Sequence, residues 1–223
     1  KNFWKEQIKN YSHSNIDIHF LECNNRNKDN PKKSTENLNC IESYIPGVFQ
    51  KTFEAFKMFN NYDFYIRTNL STIIHLDYLD DFLNNLRLDI PIYMGTLRIK
   101  ERLFKNKPNK VRYIRGNGII LNKMARNLFI KNNNLTPYKI TDKIDDCLIG
   151  KVMENNNVKM SDVSHLFYYW FNHKDFDKTL EYLLNSKFIF ISIKSKNKEI
   201  EKQKFNKLQP WINSIKDNAI YIS

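Results

Sequence analysis

The sequence predicts an α/β fold in a single domain, because short apolar runs with strand patterning alternate with amphipathic helical stretches along all 223 residues. Two further observations agree. Aromatic residues make up 14% of the chain, with 16 Phe and 12 Tyr, which supplies a sizeable core and argues against disorder. No segment repeats, and no Pro-, Gly- or Ser-rich linker divides the chain.

The elements follow in order. Residues 2–11 place Phe3, Trp4 and Ile8 at helical spacing. Asp17–Leu21 reads as a strand, and residues 24–39 read as a polar loop without periodicity. Glu42–Tyr44 is a short extended piece ending at Pro46-Gly47. The stretch Val48–Phe59 carries Phe49, Phe53, Phe56 and Phe59 on or near one face, as a core-facing helix does. Tyr62–Arg67 is a buried-strand pattern that runs into a polar knot, Thr68-Asn69-Leu70-Ser71-Thr72.

Downstream, Tyr78–Leu86 predicts a short amphipathic helix and Ile92–Gly95 a strand, with residues 98–112 as a long basic connection. Gly116-Asn117-Gly118 is a glycine turn entering the apolar strand Ile119-Ile120-Leu121, and Lys123–Ile130 is a helix. Asp145–Val152 opens a helix whose acidic first turn suits the helix dipole. Residues 165–171 are strongly aromatic, Phe188–Ile193 is rich in strand formers, and 197–208 is a charged helix.

Composition narrows the function less than the motifs do. The net charge is +12, with one local concentration of Lys and Arg between Arg98 and Arg115. Such a field suits nucleic acid, a diphosphate-bearing ligand or plain solvated loops, and the remaining cations scatter rather than cluster. Cys23, Cys40 and Cys147 are an odd set without metal-like spacing; read as no disulfide framework, they favour a reducing compartment and a cytoplasmic protein, with a secretory lumen as the alternative. No apolar run approaches the roughly 20 residues of a bilayer span, and no signal-peptide pattern is visible. The P-loop, H-E-x-x-H, G-x-S-x-G and full G-x-G-x-x-G motifs are all missing, which demotes several enzyme classes.

Two features carry chemistry. A strand ending in small polar side chains puts hydroxyls and amides at a sheet's carboxyl edge, where open α/β sheets bind ligands. The pair Asp145-Asp146 offers a base, or else simply caps its helix. His165 is a candidate metal ligand or an ordinary core histidine. The aromatic run from Phe167 stacks a sugar or packs a core, and Lys194, Lys196 and Lys198 close over a phosphate or sit in solvent. Asn69-Leu70-Ser71 is also a glycosylation sequon.

Four spaced elements then resemble one family. Glu42-Ser43-Tyr44, Gly47 and Lys51-Thr52 are similar to the D-S-Y-x-N-L-x-x-K-T element of Fringe-like β-1,3-galactosyl- and N-acetylglucosaminyltransferases. Residues 62–71 fall where that family has a strand ending in K-T-D-D-D. Residues 116–122 resemble its G-x-G-Y-V-L-S element and residues 145–150 its E-D-V-Y-V-G. Order and spacing agree over residues 41–150, and the form looks closest to uncharacterised glycosyltransferases of giant DNA viruses, in keeping with a composition rich in Asn, Lys and Ile.

The resemblance implies a GT-A fold, a Rossmann-like mixed sheet flanked by helices, with a donor half over about 1–75 and an acceptor half over about 76–223. It implies inverting transfer of a sugar from a nucleotide-diphosphate donor, with a UDP-sugar favoured, to the hydroxyl of a glycan or glycoprotein. Asp146, with Asp145 beside it, takes the catalytic role. Lys51, Arg67, Thr68, Asn69 and Ser71 contact the donor, and Gly116, Asn117 and Gly118 line the acceptor. The family uses Mn²⁺ or Mg²⁺ held by a D-x-D; here that position reads Asn69-Leu70-Ser71, leaving Asn69 and His165 as ligands or Lys51 and Arg67 as cationic substitutes. The alternatives are a catalytically dead carbohydrate- or nucleotide-binding domain, and a basic nucleic-acid-binding module.

Overall fold

The computed structural model describes residues 15–23, 36–40, 47–104, 107–132, 145–170, 176–195 and 197–218. The fold is mixed α/β, with six α-helices among the described residues. Contacts divide the chain into two compact units that interleave in sequence. The first comprises Lys1–Arg67 and Leu86–Asp162, and the second Thr68–Asn85 and Val163–Ser223.

In the first unit, β1 (Leu21–Cys23) pairs in parallel with β2 (Glu36–Leu38). Helix α1 (Gly47–Met58) follows, then β3 (Phe64–Arg67). After the excursion through the second unit come β5 (Tyr93–Gly95), β6 (Leu97–Phe104), β7 (Lys107–Ile114), β8 (Ile119–Asn122), α3 (Lys123–Lys131), α4 (Asp145–Asn155) and β9 (Met160–Asp162). The central sheet runs β3-β8-β5-β9, antiparallel at its first two joints and parallel at the last.

Its core follows from the helical phenylalanine spacing. Phe49, Phe53 and Phe56 of α1 meet Phe129 of α3 edge to face, with centroids 5.7, 6.0 and 5.9 Å apart. Leu148, Ile149, Val152 and Met153 of α4 close the same cluster over Tyr65, Ile119 and Leu121. Buried Asn122 ties three segments: its Oδ1 accepts from Ile92 N and Ala125 N at 2.9 and 3.0 Å, and its Nδ2 donates to Ile90 O at 2.6 Å. It thereby caps α3. Arg126 closes the other end of α1, its guanidinium donating to the carbonyls of Phe56, Lys57 and Phe59.

The second unit holds β4 (Thr72–Ile74), α2 (Leu76–Asn84), a 3₁₀ turn (Ser164–Leu166), β10 (Phe167–Tyr169), α5 (Phe176–Leu184), β11 (Phe190–Ser192) and α6 (Lys198–Asn218). The sheet order is β10-β11-β4, parallel then antiparallel. Phe167 stacks on Phe190 at 4.5 Å, and Tyr168 packs against Tyr182 and Phe188. The aromatic run is thus built into packing, as its bland reading required; Phe171 lies outside the described residues.

Three expectations change. Residues 98–112 are no loose connection: β6 and β7 pair antiparallel from Leu97↔Ile114 to Phe104↔Lys107. Charged residues fill so many positions of these strands that apolar alternation does not show them. The strand expected over Asp17–Leu21 lies instead at Leu21–Cys23, where Glu36–Leu38, read as loop, supplies its partner. Finally, Cys23 and Cys40 form a disulfide. The reading of three unpaired cysteines is therefore corrected; disulfides persist where the environment is oxidising. Residues 2–11 and Glu42–Tyr44 lie outside the described residues. Among the described residues, no helix is long and apolar enough to cross a membrane.

Candidate functional site

Three of the spaced sequence elements converge in the first unit. Arg67 ends β3, Gly116 lies two residues past the end of β7, and Asp145 and Asp146 open α4. The Arg67 guanidinium forms an ion pair with Asp145 and donates to the Gly116 carbonyl. Gly116 N in turn donates to Asp146 Oδ2 at 3.4 Å, and Cys147 N donates to Asp146 Oδ1 at 2.9 Å. Both members of the ion pair are nearly out of water, with side chains 14% and 12% exposed.

Local sequence explains each placement. A Cβ at residue 116 would stand 2.4 Å from Arg67 Nη1, so any larger residue would push the guanidinium away from its present place at that carbonyl. The turn behind it is closed by Gly118 N donating to Arg115 O at 3.3 Å. Gly95 has φ +153° and would carry its Cβ 2.3 Å from Gly118 O, so β5 and the turn require glycine where they cross. On α4, Gly150 lies against the Arg112 carbonyl and Tyr113 of β7, seating the helix directly on that strand.

Electrostatics then separate the two aspartates. Burial pushes the Asp146 carboxyl above the usual carboxylate range, and the neighbouring Asp145 charge adds to this. Arg67 and the N–H groups of Cys147 and Gly116 pull it back. Asp145 is matched charge for charge by Arg67. Asp146 is therefore the carboxylate suited to taking a proton. Tyr93, which the sequence reading passed over, stands close by: its hydroxyl accepts from Ile114 N at 3.0 Å. Burial above all, with a contribution from Asp146, raises its pKa far above that of an ordinary phenol. Only the fold reveals it, because a strand tyrosine carries no motif.

The remaining candidates fall elsewhere. Lys51 is half-buried on α1, beside Thr52, whose Oγ1 donates back to Val48 O at 3.0 Å. Asn117, between the two glycines, is 5% exposed. Thr68, Asn69 and Ser71 belong to the second unit, where Thr72 N donates to Asn69 O at 3.0 Å and Ile193 N to Ser71 O at 2.9 Å. His165, also in the second unit, is exposed on the 3₁₀ turn. Lys194 is exposed, and Lys198 is ion-paired with Glu201.

Among the described residues, no group of three or more His, Cys, Asp or Glu could hold an ion. Asn69 and Ser71 offer only a neutral amide and a hydroxyl, weak ligands for a hard divalent cation. The residues at the D-x-D position do not fit a carboxylate-held Mn²⁺ or Mg²⁺. No protein-family profile matches the chain, and no curated protein matches it.

Proposed function

We propose that this chain is a glycosyltransferase that moves a sugar from a nucleotide-diphosphate donor, with a UDP-sugar favoured, to an acceptor hydroxyl with inversion. The carrying observation is the cluster at the start of α4. Residues from three motif-bearing segments, far apart in sequence, meet around one half-buried carboxylate of raised proton affinity. In this reading Asp146 takes the acceptor hydroxyl's proton as that oxygen attacks the sugar's anomeric carbon. The bond from that carbon to the diphosphate breaks, and its electron pair leaves with the diphosphate. The N–H groups of Gly116 and Cys147 aim the carboxylate. The Asp145 charge helps burial to keep the proton affinity of Asp146 raised, and Arg67, paired with Asp145, moderates that rise.

The family resemblance alone supports the finer statements: a GT-A arrangement, Lys51, Thr68, Asn69 and Ser71 as donor contacts, and Asn117 and Gly118 beside the acceptor. Arg67, engaged by Asp145, fits the role of holding the strand end better than that of meeting phosphate. The disulfide favours an oxidising compartment such as a secretory lumen.

Asp146→Asn tests the assignment. Turnover with a UDP-sugar should fall by about 10²–10⁴-fold, the usual worth of a positioned base, with donor affinity nearly unchanged. Full activity in that variant would sink the role. The acid limb of the wild-type kcat/KM profile should lie above the range of an ordinary carboxylate, since activity needs Asp146 ionised and its pKa is raised. The second reading, a domain that binds donor without transfer, is favoured by the neutral Asn69-Leu70-Ser71 set. It predicts donor-dependent thermal stabilisation of the wild type with no turnover.

A further inference from the structure

The segment that leads into β1 brings two exposed side chains, Asp17 and His19, to the tyrosine that precedes β3. The Tyr62 hydroxyl donates to Asp17 Oδ2 at 2.6 Å, and His19 Nε2 stands 3.4 Å from the same hydroxyl oxygen. Ring packing holds the two aromatic donors in place. His19 stacks on Phe59 with centroids 3.9 Å apart, and Phe59 and Tyr65 meet the Tyr62 ring edge to face at 6.5 and 6.1 Å. Tyr62 N also donates to the Tyr65 hydroxyl, at 3.4 Å. Tyr62 lies before β3 and Arg67 ends it, about 16 Å away along an extended chain. The proposed chemistry uses none of these three donors.

We propose that Asp17, His19 and Tyr62 form a surface site for Cu²⁺. A carboxylate oxygen, a phenol oxygen and an imidazole nitrogen converge there, and Cu²⁺ is the divalent first-row ion that such nitrogen–oxygen sets bind most tightly. Spacing agrees with the chemistry. Ligands about 2.0–2.1 Å from one ion stand about 2.9 Å apart at right angles, and about 3.4 Å apart in a tetrahedron. The observed 2.6 and 3.4 Å bracket that range. The third donor is a tyrosine, so the set lies outside the His, Cys, Asp and Glu groups already excluded. On binding, the Tyr62 hydroxyl proton passes to solvent, the phenolate oxygen bonds the ion, and the copper stays divalent. Water completes the coordination on the exposed side. Mg²⁺ and Ca²⁺ favour oxygen ligands and make no use of an imidazole, so they do not suit the set. The bound ion clamps the segment before β1 to the start of β3.

Spectrophotometric titration of the whole, metal-stripped chain with CuSO₄ tests this. One equivalent should bind, bring up a visible phenolate-to-copper charge-transfer band and raise the melting temperature. Tyr62→Phe should abolish the band. Asp17→Asn and His19→Gln, both at exposed positions, should keep the melting temperature of the metal-free chain. Each should weaken binding by more than about tenfold, since even a residue that only supports a metal ligand is typically worth about 10–100-fold. A band that persists in Tyr62→Phe would overturn the proposal, and so would the absence of any band in the wild type. Binding left unchanged by Asp17→Asn and His19→Gln together would overturn it as well, by marking copper held elsewhere on the chain.

Discussion

In the first unit Arg67 and Asp145 leave water together, whereas in the second Lys204 is buried at 0% exposure against a neutral partner, the carbonyl of Trp170. The Lys204 ammonium also lies over the Trp170 ring, with Nζ 5.6 Å from its centroid. The consequences for protonation differ. Burial pushes the Lys204 ammonium down, and the Glu201 carboxylate pulls it part of the way back. Beside the Arg67–Asp145 pair, burial and the Asp145 charge raise the proton affinity of the next residue, Asp146, and Arg67 pulls it part of the way back. The ion pair of the first unit thus stands beside a carboxylate of raised proton affinity. In the second, the buried charge serves packing.

The largest effect should come from breaking the pair. Arg67→Ala leaves a buried carboxylate uncompensated and should cost about 3–5 kcal/mol in chemical denaturation. Adding Asp145→Asn should recover much of that loss; additive losses would show that the two side chains are not coupled.

A pH titration sharpens the contrast from the other unit. His75, 4% exposed, caps α2 by accepting from Tyr78 N at 3.3 Å and stacks on the Tyr78 ring at 3.7 Å. Burial lowers its pKa from 6.5 to about 4. Between these values the unfolded chain binds the proton more readily, so stability falls as pH drops through that window, by about 3 kcal/mol in all. His75→Gln should flatten the decline; an unchanged slope would assign it to other groups.

Replacing Lys204 should be milder. Lys204→Ala loses the packed stem and should cost about 2–3 kcal/mol, while Lys204→Met, which keeps the volume, should cost less than about 1.5. Equal losses would mean that the charge, not the stem, matters. The smallest effect concerns Gly116→Ala, whose Cβ pushes aside the far end of Arg67 at a cost of about 1 kcal/mol. It should also shift the acid limb of activity, because the Gly116 N–H moves with the turn.

Much of the fold is legible in the chain because local periodicity is enough for it. The phenylalanines of α1, the apolar β3 and β8, and the helix α3 all read from spacing alone. The β6–β7 ribbon does not, since a strand full of Lys and Arg has no apolar alternation to count, and its partner across the register supplies what identifies it. The disulfide is hidden for a similar reason: Cys23 and Cys40 are 17 residues apart, and spacing does not say which cysteines fold together. The candidate site lies between these cases. Arg67, Gly116, Asp145 and Asp146 are each visible as motif members, but their mutual contacts are not.

What the sequence by itself determined is therefore the α/β class, most helices and central strands, the phenylalanine core and the short set of polar residues at element ends. Those follow from periods of 2 and 3.6 and from capping chemistry, which are local. Tertiary structure alone decided that Arg67 serves Asp145, that Asp146 is the carboxylate left with raised proton affinity, that Cys23 finds Cys40, and that Ile99 faces solvent. Each depends on burial and on distances between groups far apart along the chain, and neither quantity exists before the chain has packed.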